Sequence, residues 1–401
     1  MACDLCGLAV YKLRTVTCDT CGSAVHTTCL GLGRNAYPAG LFTCAGCVLS
    51  DVKVTHITEA ARGAAHNLVR LRGQRVQASS QDTYASGLHR FVTFAVTHCQ
   101  LDHSAALPPA RQDSIPTDLV DLFISWAAHK YKVSTIRSTL SALADWHHAK
   151  GLPTSTVHNI RTRDLLRTVA VEQGPDGAPK GKTGLSKTWL MMLLVYLRDL
   201  ASAQPQQAAL CHRDRAWLAL GFFGLLRRSE LIALQMRDLQ FVHHTSKPHL
   251  LVTIRRSKTD KVGAGQQVSL AHKTASGIGI WQLVHTWYQA RLDQGASEGD
   301  PFLTAWDLDA RAMGHKPLRT GEALANRLRA HLQSLKQKYP HLSLNVQSYA
   351  MHSLRRGGTV AAWEAGVDRD TIKGHGRWKS EVVQRYLAAN LNIRLSLTAR
   401  L

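Results

Sequence analysis

The stretch that decides the reading is MHSLRRGGTVAAWEAGV, residues 351–367, with GHGRWKS at 374–380 and EVVQRYL at 381–387 close behind it. The first segment sets His352 and Arg355 in a His-x-x-Arg arrangement, so both side chains share one helical face. The second carries Trp378, and Tyr386 follows eight residues later. Upstream, GFFGLLRRSELIAL (221–234) places Arg227 three residues before Glu230. Between them lies HLLVTIRRSKTDKVGAGQQVSL (249–270), which reads as a strand pair with Lys258 near its turn. Each residue also has an ordinary reading. Arg227 can pair with Glu230 at a helix start, Lys258 can face solvent, His352 can be a core histidine, and Trp378 and Tyr386 can be core aromatics. The ordered set is what separates the two readings.

That set resembles the tyrosine recombinase (phage integrase) family. There an Arg in a Leu-Arg-x-Ser-Glu-Leu segment, a hairpin Lys, His-x-x-Arg, a His or Trp and a Tyr occur in this order. The wording GRWKS…RYL resembles most the crypton-type recombinases of eukaryotic mobile elements, and the resemblance covers roughly residues 80–395. One departure is visible: the gap from Trp378 to Tyr386 is one residue shorter than in phage and bacterial enzymes. His375 is the alternative for the His/Trp place. The resemblance implies strand cleavage and rejoining of double-stranded DNA, by a homo-tetramer on two DNA sites, without ATP or a catalytic metal. Arg227 and Arg355 would clamp the phosphate oxygens, since a guanidinium forks where an ammonium cannot. Tyr386 would attack phosphorus to form a 3′-phosphotyrosine. Lys258 would protonate the leaving 5′-oxygen and His352 would assist. Trp378 would donate its indole N–H to the phosphate, and Glu230 would hold neighbouring basic groups.

Composition agrees with a polyanionic partner. Lys and Arg number 49 against 28 Asp and Glu, a formal charge of +21 over 401 residues. No Walker motif, dinucleotide fingerprint or acidic metal cluster is found. No apolar run is long enough to span a bilayer, so no membrane partner is expected, and MACDLCGLAV is no signal peptide. An intracellular, nuclear protein with reduced thiols is expected.

Seven of the nine cysteines fall within the first 47 residues. Cys3, Cys6, Cys18, Cys21, His26, Cys29, Cys44 and Cys47 form four pairs with two residues between partners, a metal-binding spacing with eight ligands for two tetrahedral zinc sites. Their order, four Cys, one His and three Cys, resembles the PHD finger family. That resemblance implies interleaved sites, Cys3, Cys6, His26 and Cys29 on one ion and Cys18, Cys21, Cys44 and Cys47 on the other. A histone tail or another protein is the partner such a finger implies. Thr15, Val16 and Thr17 stand where a cage tryptophan is common, so a trimethyl-lysine cage is not expected.

The fold class expected is multidomain: a small two-zinc cross-brace finger (1–50), a basic helix or linker (51–78), an all-α helical core-binding domain (79–172), a linker (173–184) and a mixed α+β, mostly helical catalytic domain (185–401). In the helical domain, Ser79, Ser80 and Asp82 offer N-caps. Tyr84, Leu88, Phe91 and Phe94 recur at helical intervals, then Leu119, Leu122, Phe123 and Trp126, then Ile136, Leu140, Leu143 and Trp146 or His147. Lys130, Lys132, Arg137, His147, His148, Lys150, Arg161, Arg163 and Arg167 would form its basic outer faces. The Leu-rich tail after Tyr386 is expected to dock on a neighbouring subunit. Two rivals remain: a non-catalytic DNA-binding or chromatin-targeting protein derived from a mobile element, and a type IB topoisomerase, which the core-binding helices disfavour.

Overall fold

The computed structural model describes residues 15–18, 20–27, 29, 42–53, 58–73, 78–107, 114–177, 182–243, 246–257, 260, 263–307, 312–318, 321–341, 344–381 and 383–384. Cys3, Cys6, Lys258, Tyr386 and the C-terminal tail lie outside the described residues. Contacts divide the chain after Lys180 into two compact units.

The first unit opens with a two-stranded antiparallel ribbon, β1 (Thr15–Thr17) and β2 (Ala24–His26), with Val16 opposite Val25. A short helix α1 (Ala45–Asp51) follows, then α2 (Glu59–Gly73). The expectation for 51–78 was a solvated helix or a linker. The helix instead belongs to the finger, because Ala65 and Val69, one turn apart, are buried with Val16, Val25, Phe42, Val48 and Leu49. A segment this small gains core from a helix whose apolar stripe has no other cover.

Five helices complete the unit: α3 (Ala78–Cys99), α4 (His103–Ala106), α5 (Thr117–Ala128), α6 (Val133–Ala149) and α7 (Ile160–Gly177). Leu88, Phe91, Phe94, Phe123, Ile136, Leu140, Leu143 and Trp146 fill its core as their periodicity predicts. Four expectations need correction. Helix α3 already begins at Ala78, so Ser79, Ser80 and Asp82 lie within its span and not ahead of it. Leu122 is 57% exposed, because Val120, Phe123, Ile124 and Ala127 already complete the buried stripe of α5. His147 is on no basic face. It is fully buried, accepting the Ile115 N–H at Nε2 (3.1 Å) while Nδ1 meets Thr156 Oγ1 (3.1 Å). Finally, the proposed 173–184 linker is helical to Gly177, past a kink at Gly174. There Gln173 binds the Val133 N–H and the Ala128 and Tyr131 carbonyls.

The second unit is built around α9 (Ala208–Phe223), whose residues from Ala216 to Phe222 are all buried. Against it lie α8 (Lys187–Ala203), α10 (Arg228–Ala233), α11 (Ile280–Asp293), α12 (Gly321–Lys338) and α13 (Met351–Glu364), with α14 (Arg369–His375) after α13. The expected strand pair is present as β4 (His249–Ile254) and β5 (Gln266–Ala271), with Val252 opposite Val268. A strand the sequence reading missed, β3 (Leu239–Val242), pairs with β4 on its other edge. A second hairpin joins β6 (Thr304–Asp307) to β7 (Ala312–Pro317). One buried carboxylate ties three of these elements. Asp214 on α9 binds Arg213, the Trp217 indole N–H, and Arg327 and His331 of α12, and Arg213 in turn reaches the Thr304 carbonyl of β6.

Candidate active site

The site forms where α9 ends. Gly224 closes the helix; a Cβ there would lie 2.3 Å from Leu226 Cδ1 and 2.7 Å from the Leu220 carbonyl oxygen. Leu225 then takes φ +48°, a left-handed conformation that costs a non-glycine residue about 1–3 kcal/mol. The turn delivers Arg227 as the N-cap of α10. Glu230, one turn on, accepts the Arg227 backbone N–H at Oε2 (2.8 Å), the reciprocal half of a capping box. Its Oε1 receives Arg227 Nη1 at 2.6 Å. Glu230 has no exposed side-chain surface, whereas Arg227 keeps 21%. Burial alone would raise the Glu230 pKa, but the charge of Arg377 and then the Arg227 hydrogen bonds hold it below the usual carboxylate value.

Helix α13 brings His352 and Arg355 to the same place. Its N-terminus is capped by Ser353, whose Oγ accepts the Ala350 N–H (3.0 Å). Gly357 and Gly358 allow the helix to seat closely: Cβ atoms there would lie 1.8 Å from the Leu185 carbonyl oxygen and 2.0 Å from that of Phe222. Arg355 is 1% exposed. Its Nη1 donates to the Leu225 carbonyl and its Nη2 to the Gly376 carbonyl. The Trp378 ring lies over the same guanidinium, 4.2 Å from centroid to Cζ, a cation–π contact. His352 is exposed, yet the protein packed around it and the charges of Arg355, Arg356 and Arg227 push its pKa down, so the ring is neutral near pH 7. His375, the alternative to Trp378, points its Nε2 at the Phe223 carbonyl (2.8 Å) and is thereby tied to the end of α9.

The structure thus brings Arg227, Glu230, His352, Arg355 and Trp378 together. Lys258 lies outside the described residues. Asp260 accepts the N–H groups of Gly263, Ala264 and Gly265, and these bonds, with the Lys379 charge, lower its pKa. The strand's base is anchored too: Arg255 pairs with Asp238 (2.9 Å) and donates to the Ala233 carbonyl at the end of α10.

In the finger, Cys18, Cys21, Cys44 and Cys47 converge, with all four sulfurs within 4.8 Å of one another. Cys18 and Cys47 sulfurs stand 3.8 Å apart and those of Cys21 and Cys44 3.4 Å. A Zn–S bond of about 2.3 Å gives tetrahedral sulfurs about 3.8 Å apart, so this set fits zinc. The Cys44 N–H points at Cys18 Sγ (3.2 Å), the kind of outer hydrogen bond that steadies a thiolate ligand. His26 and Cys29 sit side by side, Nδ1 to Sγ 4.0 Å, as half of the second expected set.

Known proteins resemble both parts of the chain. The PHD-finger family model matches residues 3–47. Over 295 residues the chain is 27% identical to an integrase/recombinase xerD homolog of Selenomonas ruminantium, covering 72% of this chain and 76% of that one. The XerH site-specific recombinase in a post-cleavage complex with palindromic difH matches with a TM-score of 0.54 at 14% identity, over 93% of this chain and 92% of that one. Its pre-cleavage complex with difH matches at 0.50 and 15%, over 84% and 83%.

The chain has a tyrosine recombinase fold behind a PHD finger.

The enzyme class and the finger read from the sequence are both borne out. Within this recombinase fold the sequence reading missed one residue, Arg377. It is buried, has φ +57° and donates from Nη2 to Glu230 Oε2 at 2.9 Å. The available signal was the shortened gap before Tyr386, since one residue back from Trp378 is Arg377. Chemically, the recombinase site offers one partly exposed guanidinium, a neutral exposed imidazole and a walled, cationic rear. That set suits binding an anion and moving a proton beside it.

Proposed function

We propose that the chain cleaves and rejoins duplex DNA at specific sites through a 3′-phosphotyrosine on Tyr386, as the recombinase of a mobile element acting in the nucleus. The observation that carries this reading is the convergence of Arg227, His352, Arg355 and Trp378 around the end of α9, with Glu230 buried against Arg227. Arg227 and Arg355 bind the phosphate and neutralise charge that grows as Tyr386 attacks. Arg355 exchanges its carbonyl partners for phosphate oxygens when DNA enters. Lys258 protonates the leaving 5′-oxygen, and neutral His352 relays a proton. The bond energy is kept in the tyrosyl ester, so rejoining needs no nucleotide. Zinc, when bound, supplies folding energy to the finger through Cys18, Cys21, Cys44 and Cys47 with the paired set Cys3, Cys6, His26 and Cys29. The finger docks a histone tail or another protein, and the active assembly is a tetramer.

The test uses suicide duplexes from the sequence flanking the gene, without ATP or magnesium. A covalent adduct in wild type that is absent in Tyr386→Phe is expected. An adduct in both variants would mean another nucleophile. Tight binding with no adduct would make the protein a non-catalytic DNA-binding factor.

A further inference from the structure

Among the described residues, Arg377 is the buried cation at the site that strand cleavage, as laid out above, gives no task. It is costly on two counts. Its backbone is left-handed without being glycine, and its guanidinium is 4% exposed. A surface arginine would meet neither cost. What the position achieves is a fixed set of bonds: Nη2 to Glu230 Oε2 (2.9 Å) and the Leu225 carbonyl (3.3 Å), Nη1 to the His375 carbonyl (3.0 Å) and the Gly224 carbonyl (3.4 Å).

These bonds divide one carboxylate between two guanidiniums. Glu230 gives Oε1 to Arg227 Nη1 and Oε2 to Arg377 and the Arg227 backbone. A lone Arg227–Glu230 pair would be electrically neutral and would attract a phosphate less. The three together carry a net charge of +1. Arg227 is therefore only half neutralised, with its 21% exposed surface left for an anion. The same Leu225 carbonyl accepts from both Arg377 and Arg355, so the turn that aims Arg227 is braced by both buried arginines.

We propose that Arg377 is a positioning residue for strand cleavage: through Glu230 it fixes the Arg227 guanidinium and keeps its charge available to the phosphate. The proposal rests on the recombinase function above.

A mutant series in the full chain tests it by two readouts. One is the rate of adduct formation on the suicide duplex. The other is the NMR titration midpoint of His352, which needs no turnover and feels the Arg227 charge. Arg377→Met should slow adduct formation at least about 10-fold, and adding it to Arg227→Ala should cost nothing further, because it acts only through Arg227. In the titration, Arg377→Met should raise the His352 midpoint, since Glu230 then neutralises Arg227 alone. Adding Glu230→Gln should bring the midpoint back down, a reversal that loss of structure would not produce. Independent, additive losses with an unmoved midpoint would overturn the proposal and leave Arg377 as packing. Should wild type form no adduct, strand cleavage fails on its own, and the titration arm still decides. Melting curves identify any variant that does not fold, in which case Arg377→Lys, which keeps the charge without the fork, is read by adduct rate: slower adduct formation that adds nothing to Arg227→Ala is expected, and an unchanged or additive rate would overturn the proposal.

Discussion

A carboxylate held between two guanidiniums fails in one direction, toward acid. The pKa of Glu230 is depressed in the folded state, so its stabilising effect is fully present above the unfolded carboxylate value of about 4.3 and is lost as pH falls through the lower folded value. Asp214, likewise depressed against Arg213, Arg327 and His331, fails in the same direction. Glu230→Gln separates the two. It should destabilise the second unit by about 3 kcal/mol at pH 7, because it strands Arg377 as a buried charge. Urea unfolding between pH 7 and pH 3 should show a flatter acid limb in that variant than in wild type. At this scale the sequence was legible where chemistry fixes residue type. Arg227, Glu230, His352, Arg355 and Trp378 were named from order and spacing, and all five meet. Arg377 was not legible. An arginine beside a glycine reads as surface, and only a left-handed φ turns it inward. His147 erred the other way: a histidine among basic residues looks exposed until its two ring nitrogens are seen to have buried partners.

Elements were legible where one apolar stripe faces one core. Helices α3, α5 and α6 show this, and so does the β4–β5 pair with its alternating burial. Helix α2 was not, because Ala65 and Val69 make a stripe too thin to distinguish from a solvated helix. Nor was β3, four residues without a turn signal. The element on which the site most depends is α13, and its fit is set by two glycines. Gly357→Ala should disrupt the site, because a methyl 1.8 Å from the Leu185 carbonyl oxygen meets backbone and not a movable side chain. Overpacking of this kind costs roughly 1–3 kcal/mol, and thermal melting of the variant against wild type measures it. An unchanged melting temperature would mean that the 182–185 segment yields.

At the scale of the molecule, two units with separate cores carry separate chemistries. The finger's converging cysteines suit a metal ion, whereas the candidate site of the second unit gathers arginine, histidine and tryptophan side chains. A strong chelator should therefore melt the finger, seen as a new low-temperature transition, and leave the high-temperature transition of the second unit in place. Loss of both together would show that the finger supports the rest. The net charge of +21 is likewise a property of the whole and says nothing of which face would meet a polyanion. That is why composition points to a class of partner while only geometry points to a candidate site.

The segment that enters the second unit is fastened to α13 and to the turn before it. Thr183 and Leu185 donate their amide protons to the carbonyls of Ser348 and Ser353, Lys182 Nζ reaches the Gln347 carbonyl, and Arg356 returns a bond to the Lys182 carbonyl. The Leu185 amide is spent on Ser353 beside His352 and the Thr183 amide on the turn before α13, so their exchange with solvent deuterium follows the integrity of α13's first turn and its approach. They form a built-in gauge, read without touching any residue of the site, of whether His352 and Arg355 are seated.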